Sequence, residues 1–170
     1  QGVDSTRDAQ GFIMNRQKDT SCLNLDGIAY EETAVDSSLT DITNGTIQFW
    51  LKNTNTVRFV VFSEDDGTDY LGAWNPDGTG LWYNGGVTGT VTSTADNNIT
   101  LTTGMITDGD WHMHTMTGVN LSSFTVFQLG NYSDTFPLKT TIDGLKVYSR
   151  VLTSTEIIRN YNATKGNHRN

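Results

Sequence analysis

Cysteine is almost missing from this chain: Cys22 is the only one in 170 residues. No disulfide can form within the chain, so its stability must come from an apolar core. That suits a reducing cytoplasm, or a bacterial or viral surface module that does without disulfides. Cys22 itself sits in CLNL and reads as an inert strand residue. Proline appears only twice. No apolar run approaches the ~20 residues needed to span a bilayer, and no apolar signal segment follows the opening QGVDSTRDAQ. A start at Gln1 rather than Met suggests an excised piece from which a leader could have been lost. Positive charge is scarce as well, with 11 Lys and Arg against 19 Asp and Glu, a net charge of −8 and a pI near 4.6. Nucleic-acid phosphates would repel such a surface, and so would anionic membranes.

The abundant residues are Thr (27), Gly (17) and Asn (15). Threonine-rich strands joined by Asn/Asp/Gly turns make an all-β composition. At this length one domain is expected, burying roughly 70% of the surface of its unfolded chain. Five Asn-x-Ser/Thr sites, at Asn44, Asn98, Asn120, Asn131 and Asn162, are close to chance in so Thr- and Ser-rich a chain. Residues 1–10 are polar and aperiodic, and GFIM (11–14) and SCLNL (21–25) are plausible strands. TIQFWLK (46–52) and VRFVVFS (57–63) are expected to pair around NTNT. DYLGAWN (69–75) and GLWYN (80–84) flank PDGT, a strong hairpin signal. Short strands continue through VTGTVTST, NITLT, WHMHTMT and SFTVFQLG, with turn signals at the spacing of a sandwich or barrel.

The end of the chain, TTIDGLKVYSRVLTSTEIIRNYNA (140–163), changes period in mid-course. Strand alternation puts Asp143 on one face with Leu145 and Val147. Thr153 and Glu156 then form a capping box, and Ile157, Ile158 and Tyr161 share one side of a helix of about two turns, with Gly166 where the chain could leave it. A helix so short is unstable alone and must be pinned against a sheet.

IDGLKVYSRVLTSTEIIRNYNA resembles the closing signature of laminin-G-like, concanavalin A-like lectin-glucanase jelly-roll domains, of the kind found in phage structural and bacterial surface proteins. CLNLDGIAY (22–30), TIQFWLK and DGDWHMHTMTG (108–118) match further family segments in the right order, so the resemblance covers about residues 20 to 163. It implies an all-β fold, a two-sheet antiparallel jelly-roll sandwich with one short C-terminal helix covering an end. The implied division is 1–20 as polar lead-in and first strand, 21–165 as the jelly-roll domain and 166–170 as a tail. The chain departs from the family where MTGVNLSSFTVFQLGNYSD compresses the usual hairpin with its Tyr-x-Asp-Gly turn.

Several side chains are candidates for chemistry. A carboxylate sharing a face with Leu145 and Val147 needs a partner, and either backbone amides or a cation would serve Asp143. The resemblance implies a structural Ca2+ near the first and last strands, with Asp26 and Asp143 as its ligands. Asp65, Asp66 and Asp69 in EDDGTDY could hold calcium, although acidic loops are usually just solvated. His112 and His114, two apart on a strand, form a workable metal pair without a third ligand nearby. The aromatic hairpin offers Tyr70 and Trp74 on one strand side and Trp82 and Tyr83 across from them, with Asn75, Asp77 and Asn84 close in sequence. Such rings stack on sugar faces while amides and carboxylates bond the hydroxyls; against this, most of the four tryptophans belong in a core.

Catalysis finds no support in the residues. Glycosidic hydrolysis needs two carboxylates across the substrate, and Glu31, Glu32, Glu64 and Glu156, the only glutamates, do not form the Glu-x-Asp-x-x-Glu strand of glucanases of this fold. The lyase, Ser-nucleophile and phosphate-loop motifs are missing too. The expectation is a non-catalytic recognition or adhesion module for glycan or another surface polymer, in an extracellular or virion protein. The alternative is a structural decoration, fibre or connector domain, held to other subunits of a virion or surface assembly and binding no ligand.

Overall fold

The computed structural model describes residues 7–8, 11–12, 23–26, 31–34, 37–63, 70–75, 80–85, 91–124, 126–129 and 139–168. The strands among them are β1 (Arg7–Asp8), β2 (Gly11–Phe12), β3 (Leu23–Asp26), β4 (Glu31–Ala34), β5 (Gly45–Lys52), β6 (Phe59–Ser63) and β7 (Tyr70–Asn75). Then come β8 (Gly80–Gly85), β9 (Thr92–Ala95), β10 (Ile99–Thr100), β11 (Trp111–Val119), β12 (Val126–Leu129) and β13 (Lys139–Tyr148). Two single-turn helices, α1 (Ser37–Thr40) and α2 (Gly104–Thr107), sit in connections, and α3 (Ser154–Thr164) follows the last strand.

Strands β1 and β2 pair with each other. The others form a six-stranded sheet, ordered β10-β9-β11-β5-β13-β3, and a five-stranded sheet, ordered β4-β12-β6-β7-β8. Every pairing is antiparallel. The sheets face each other as a β-sandwich. Ile47, Phe49, Leu51, Met116, Ile142, Leu145 and Val147 from one sheet share a core with Phe59, Val61, Phe62 and Leu71 from the other. Phe49 meets Phe62 edge to face at 5.2 Å. Each such side chain, fully buried, contributes about 1.5–3 kcal/mol, whereas a hydrogen bond nets about 1 kcal/mol. The apolar interior therefore holds the sandwich, and the polar contacts decide what lies where on it.

Three expectations change here. TIQFWLK and VRFVVFS do not pair around NTNT, because β5 belongs to the six-stranded sheet and β6 to the five-stranded one. Asn53 turns the chain over between them: its Oδ1 accepts from the Asn55 amide, and its Nδ2 donates to the carbonyls of Asn55 and Ile106. The segment expected as a compressed hairpin after β11 is a second crossover, with Leu121 and Phe124 buried in the core and β12 paired to β4 and β6. Finally, α3 does not cap an end of the sandwich but lies on the outer face of the six-stranded sheet.

That last placement follows from β5. Its odd positions face the core, while its even positions, Thr46, Gln48 and Trp50, face outward and are nonetheless buried. α3 covers them. Trp50 and Met113 pack with Leu152 and Ile157, joined by Tyr148, Tyr161 and Trp111. Asn160 Nδ2 donates to Gln48 Oε1 and to the Tyr148 hydroxyl, and Gln48 Nε2 donates on to Thr115. The capping box is present: Thr153 Oγ1 accepts from the Glu156 amide, and Glu156 accepts from the Thr153 amide. The helix runs 11 residues, about a turn longer than expected, and packed structure continues past it through a 3-10 turn at Lys165–Asn167 to a buried His168.

Candidate functional site

Strand β13 carries the residue whose surroundings differ most from expectation. Asp143 pairs with Trp50, and Lys146 with Gln48, so an extra residue is accommodated between them. Gly144 takes φ +59° there, a left-handed conformation glycine adopts without a Cβ penalty. The bulge reverses the alternation. Leu145 and Val147 join Ile142 in the core, while Asp143 lies outward beside Trp50. It does not share a face with Leu145 and Val147.

Its partner is His168. The imidazole Nε2 lies 2.7 Å from Asp143 Oδ2, and Asp143 Oδ1 accepts from the Gly144 amide at 2.8 Å. His168 Nδ1 lies 3.0 Å from the Thr164 carbonyl, which can only accept, so that nitrogen carries a proton. The ring lies flat on Trp50, centroids 4.2 Å apart and planes 7° from parallel, and Trp111 stands against it at 5.1 Å and 70°. The side chains of His168 and Asp143 are 4% and 8% exposed. Trp50 Nε1 donates to Thr164 Oγ1, and its ring also stacks on Tyr161. Of the two partners open to Asp143 on sequence grounds, the backbone amide is present; the histidine is a third, and nothing in KGNHRN marks it.

The calcium pair does not assemble. Asp26 lies opposite Lys139 in the pairing of β3 with β13, four residues from Asp143. At ~3.3 Å per residue, that puts them about 13 Å apart along the strand, while a shared calcium holds each ligand oxygen at about 2.3–2.6 Å. Among the described residues no group of three or more His, Cys, Asp or Glu is disposed to hold a metal ion. Asp65, Asp66 and Asp69 lie outside the described residues, as does Cys22.

His112 and His114 are not a metal pair. His112 Nδ1 lies 2.7 Å from Asp96 Oδ2, and its Nε2 lies 3.0 Å from Asp108 Oδ2. With a carboxylate on each nitrogen the ring is held as a cation. Its pKa rises from 6.5 to about 9, mainly through the Asp96 hydrogen bond, with Asp108 adding to it against the cost of burial. Asp96 also accepts from the Met113 amide at 2.9 Å and takes φ +48° in the β9–β10 turn. His114 lies inside, stacked on Phe49, and burial together with the neighbouring His112 charge pushes its pKa down to about 3. The two histidines serve the rim and the core.

The aromatic hairpin forms as expected. Strands β7 and β8 pair antiparallel, Tyr70 with Gly85, Ala73 with Tyr83 and Asn75 with Gly80, and β8 is the last of the described strands in the five-stranded sheet. Trp74 lies opposite Phe59 of β6. The β7–β8 register slips between Tyr70 and Ala73 and again between Ala73 and Asn75, with Gly72 at φ +69°. Simple alternation therefore does not put Tyr70 and Trp74 on one side. Tyr70 is half-buried. The backbone brings Trp74, Asn75, Trp82 and Asn84 onto one two-stranded unit, and Asp77 lies outside the described residues.

No protein-family model matches this chain, and no curated protein matches it. Among solved structures, the receptor-binding domain of botulinum neurotoxin C/D mosaic serotype is similar at 9% identity, with a TM-score of 0.51, over 95% of this chain and 47% of that one. A point mutant of HCR/D is similar at 11% identity, with a TM-score of 0.48, over 84% of this chain and 42% of that one. The chain thus spans less than half the length of either. What is shared with the first is the fold, a β-sandwich.

Proposed function

We propose that this chain is a non-catalytic recognition module of the concanavalin A-like jelly-roll class, binding glycan or another surface polymer through the β7–β8 hairpin. One observation carries the reading. Of the four tryptophans, Trp50 and Trp111 are committed to the packing of α3 and His168, whereas Trp74, the register partner of the core residue Phe59, and Trp82 sit on a hairpin whose second strand is the last of the described strands in its sheet. Trp74 and Trp82, with Tyr70, Asn75, Asp77 and Asn84 in the same stretch of sequence, are the residue types that would stack on sugar faces and bond their hydroxyls. A receptor-binding domain of similar fold is a precedent for surface recognition on this scaffold, although fold alone does not fix function. The setting proposed is an extracellular surface or a virion, and no helix in the described residues is long and apolar enough to cross a membrane.

The test is a broad glycan panel probed with the folded chain, once with calcium and once with chelator. Binding unaffected by chelator supports the aromatic hairpin alone. Calcium-dependent binding would require a metal site in the segments around Asp26 or Asp65–Asp69. Silence under both conditions favours the structural-assembly reading, with other subunits as partners.

A further inference from the structure

His168 is held as a bound ligand would be. Its ring has a stacking floor in Trp50, an edge wall in Trp111, a carboxylate at one nitrogen and a carbonyl at the other. All but the carbonyl belong to the six-stranded sheet: Trp50 to β5, Trp111 to β11 and Asp143 to β13. The three strands are neighbours, and Asp143 and Trp50 are register partners. The sheet can therefore form this recess without the ring. The ring arrives on a short segment after α3, whose neighbours Lys165, Gly166 and Asn167 are exposed. Gly166 has no atom within 4 Å of where a Cβ would stand.

We propose that Trp50, Trp111 and Asp143 form a binding pocket for a planar nitrogen heterocycle bearing N–H donors on two edges, and that His168 fills it as a tethered ligand. Lys165–His168 is then a strap over a site on the outer face of the six-stranded sheet, apart from the β7–β8 hairpin. An indole face attracts a ring with cationic character, and the Asp143 carboxylate strengthens one N–H contact by its charge. Gly144 fixes that carboxylate twice: its φ of +59° creates the bulge, and its amide donates to Oδ1. A free ring of the same chemistry replaces His168 once the side chain is removed, because the pocket walls are held by the sheet.

The experiment uses the full chain carrying His168→Gly, with free imidazole as the probe. The variant melts several degrees lower than the parent, and imidazole recovers at least half of that loss along a saturating curve, as a ligand specific to the folded state does. The parent chain shows no such recovery, and His168→Gly/Asp143→Asn responds far less. If His168→Gly is folded by circular dichroism yet imidazole gives no saturable stabilisation, or stabilises the parent and the double variant equally, the pocket is refuted. Should the variant not fold, the parent decides by NMR. Stacking at 4.2 Å on Trp50 shifts the His168 ring protons strongly upfield, and ordinary shifts overturn the proposal.

Discussion

His168 lies flat on Trp50, their ring centroids 4.2 Å apart and their planes 7° from parallel, with the same imidazole 2.7 Å from Asp143. One residue after the last helix thereby closes a contact between two central strands. Trp50 is the hub: it also meets Tyr161 and donates to Thr164. Trp50→Ala is expected to cost about 3–5 kcal/mol, the usual range for a large buried aromatic, in equilibrium urea unfolding. A loss below about 1 kcal/mol would show that α3 docks without it.

The start of α3 rests on the capping box of Thr153 and Glu156. Thr153→Ala removes the hydroxyl that accepts from the Glu156 amide and is expected to cost about 1 kcal/mol. Because the two residues act as a unit, Thr153→Ala/Glu156→Gln should lose less than the sum of the single changes. Additive losses in a double-mutant cycle would mean that the box exists without cooperating.

At Gly144 the chain needs a left-handed residue. A Cβ there would meet Trp50 Cδ1 at 3.6 Å, an ordinary contact, so the cost of Gly144→Ala is one of backbone conformation, about 1–2 kcal/mol. Gly144→Asn should lose less and Gly144→Val more, following their tolerance of that region. Equal losses for Asn and Val would point to crowding instead.

The sequence made some of this legible and concealed the rest. The capping box and the PDGT hairpin are local signals, and both elements formed where their residues stand. The strands TIQFWLK and WHMHTMT were readable from composition. Their partners were not, because NTNT looks like a tight turn and only the placement of β5 and β6 in different sheets shows that it crosses between them. That Asp143 needs a partner is legible in the sequence, and it has His168 and the Gly144 amide. Its face is not legible, because one glycine with positive φ undoes period-two alternation, and its histidine partner stands in a polar tail with no periodicity. Of the candidate binding residues, sequence could place Trp74 and Trp82 on one hairpin but not separate them from Trp50 and Trp111, since burial under α3 is a tertiary fact.

The His112 clamp gives the chain a pH signature. Its folded pKa of about 9 lies above the ordinary 6.5, so the protonated ring stabilises the folded state. That contribution is complete below pH 6.5, declines as pH rises above it and is gone once pH passes about 9. After solvent screening it should amount to about 1 kcal/mol. Urea midpoints measured from pH 6 to 10 should fall for the parent, and Asp96→Asn should flatten the decline. A fall of the same size in Asp96→Asn would assign it to other groups.

The proposed ligand site on the β7–β8 hairpin is separable from the packing of Trp50 and Trp111 under α3. The most direct measurement compares Trp74→Ala, Trp82→Ala and Trp50→Ala for both melting temperature and binding to whichever glycan the panel identifies. Trp74→Ala or Trp82→Ala is expected to abolish binding with the melting temperature nearly unchanged, and Trp50→Ala to lower the melting temperature sharply. A large stability loss in both hairpin variants, or full binding by both, would contradict it.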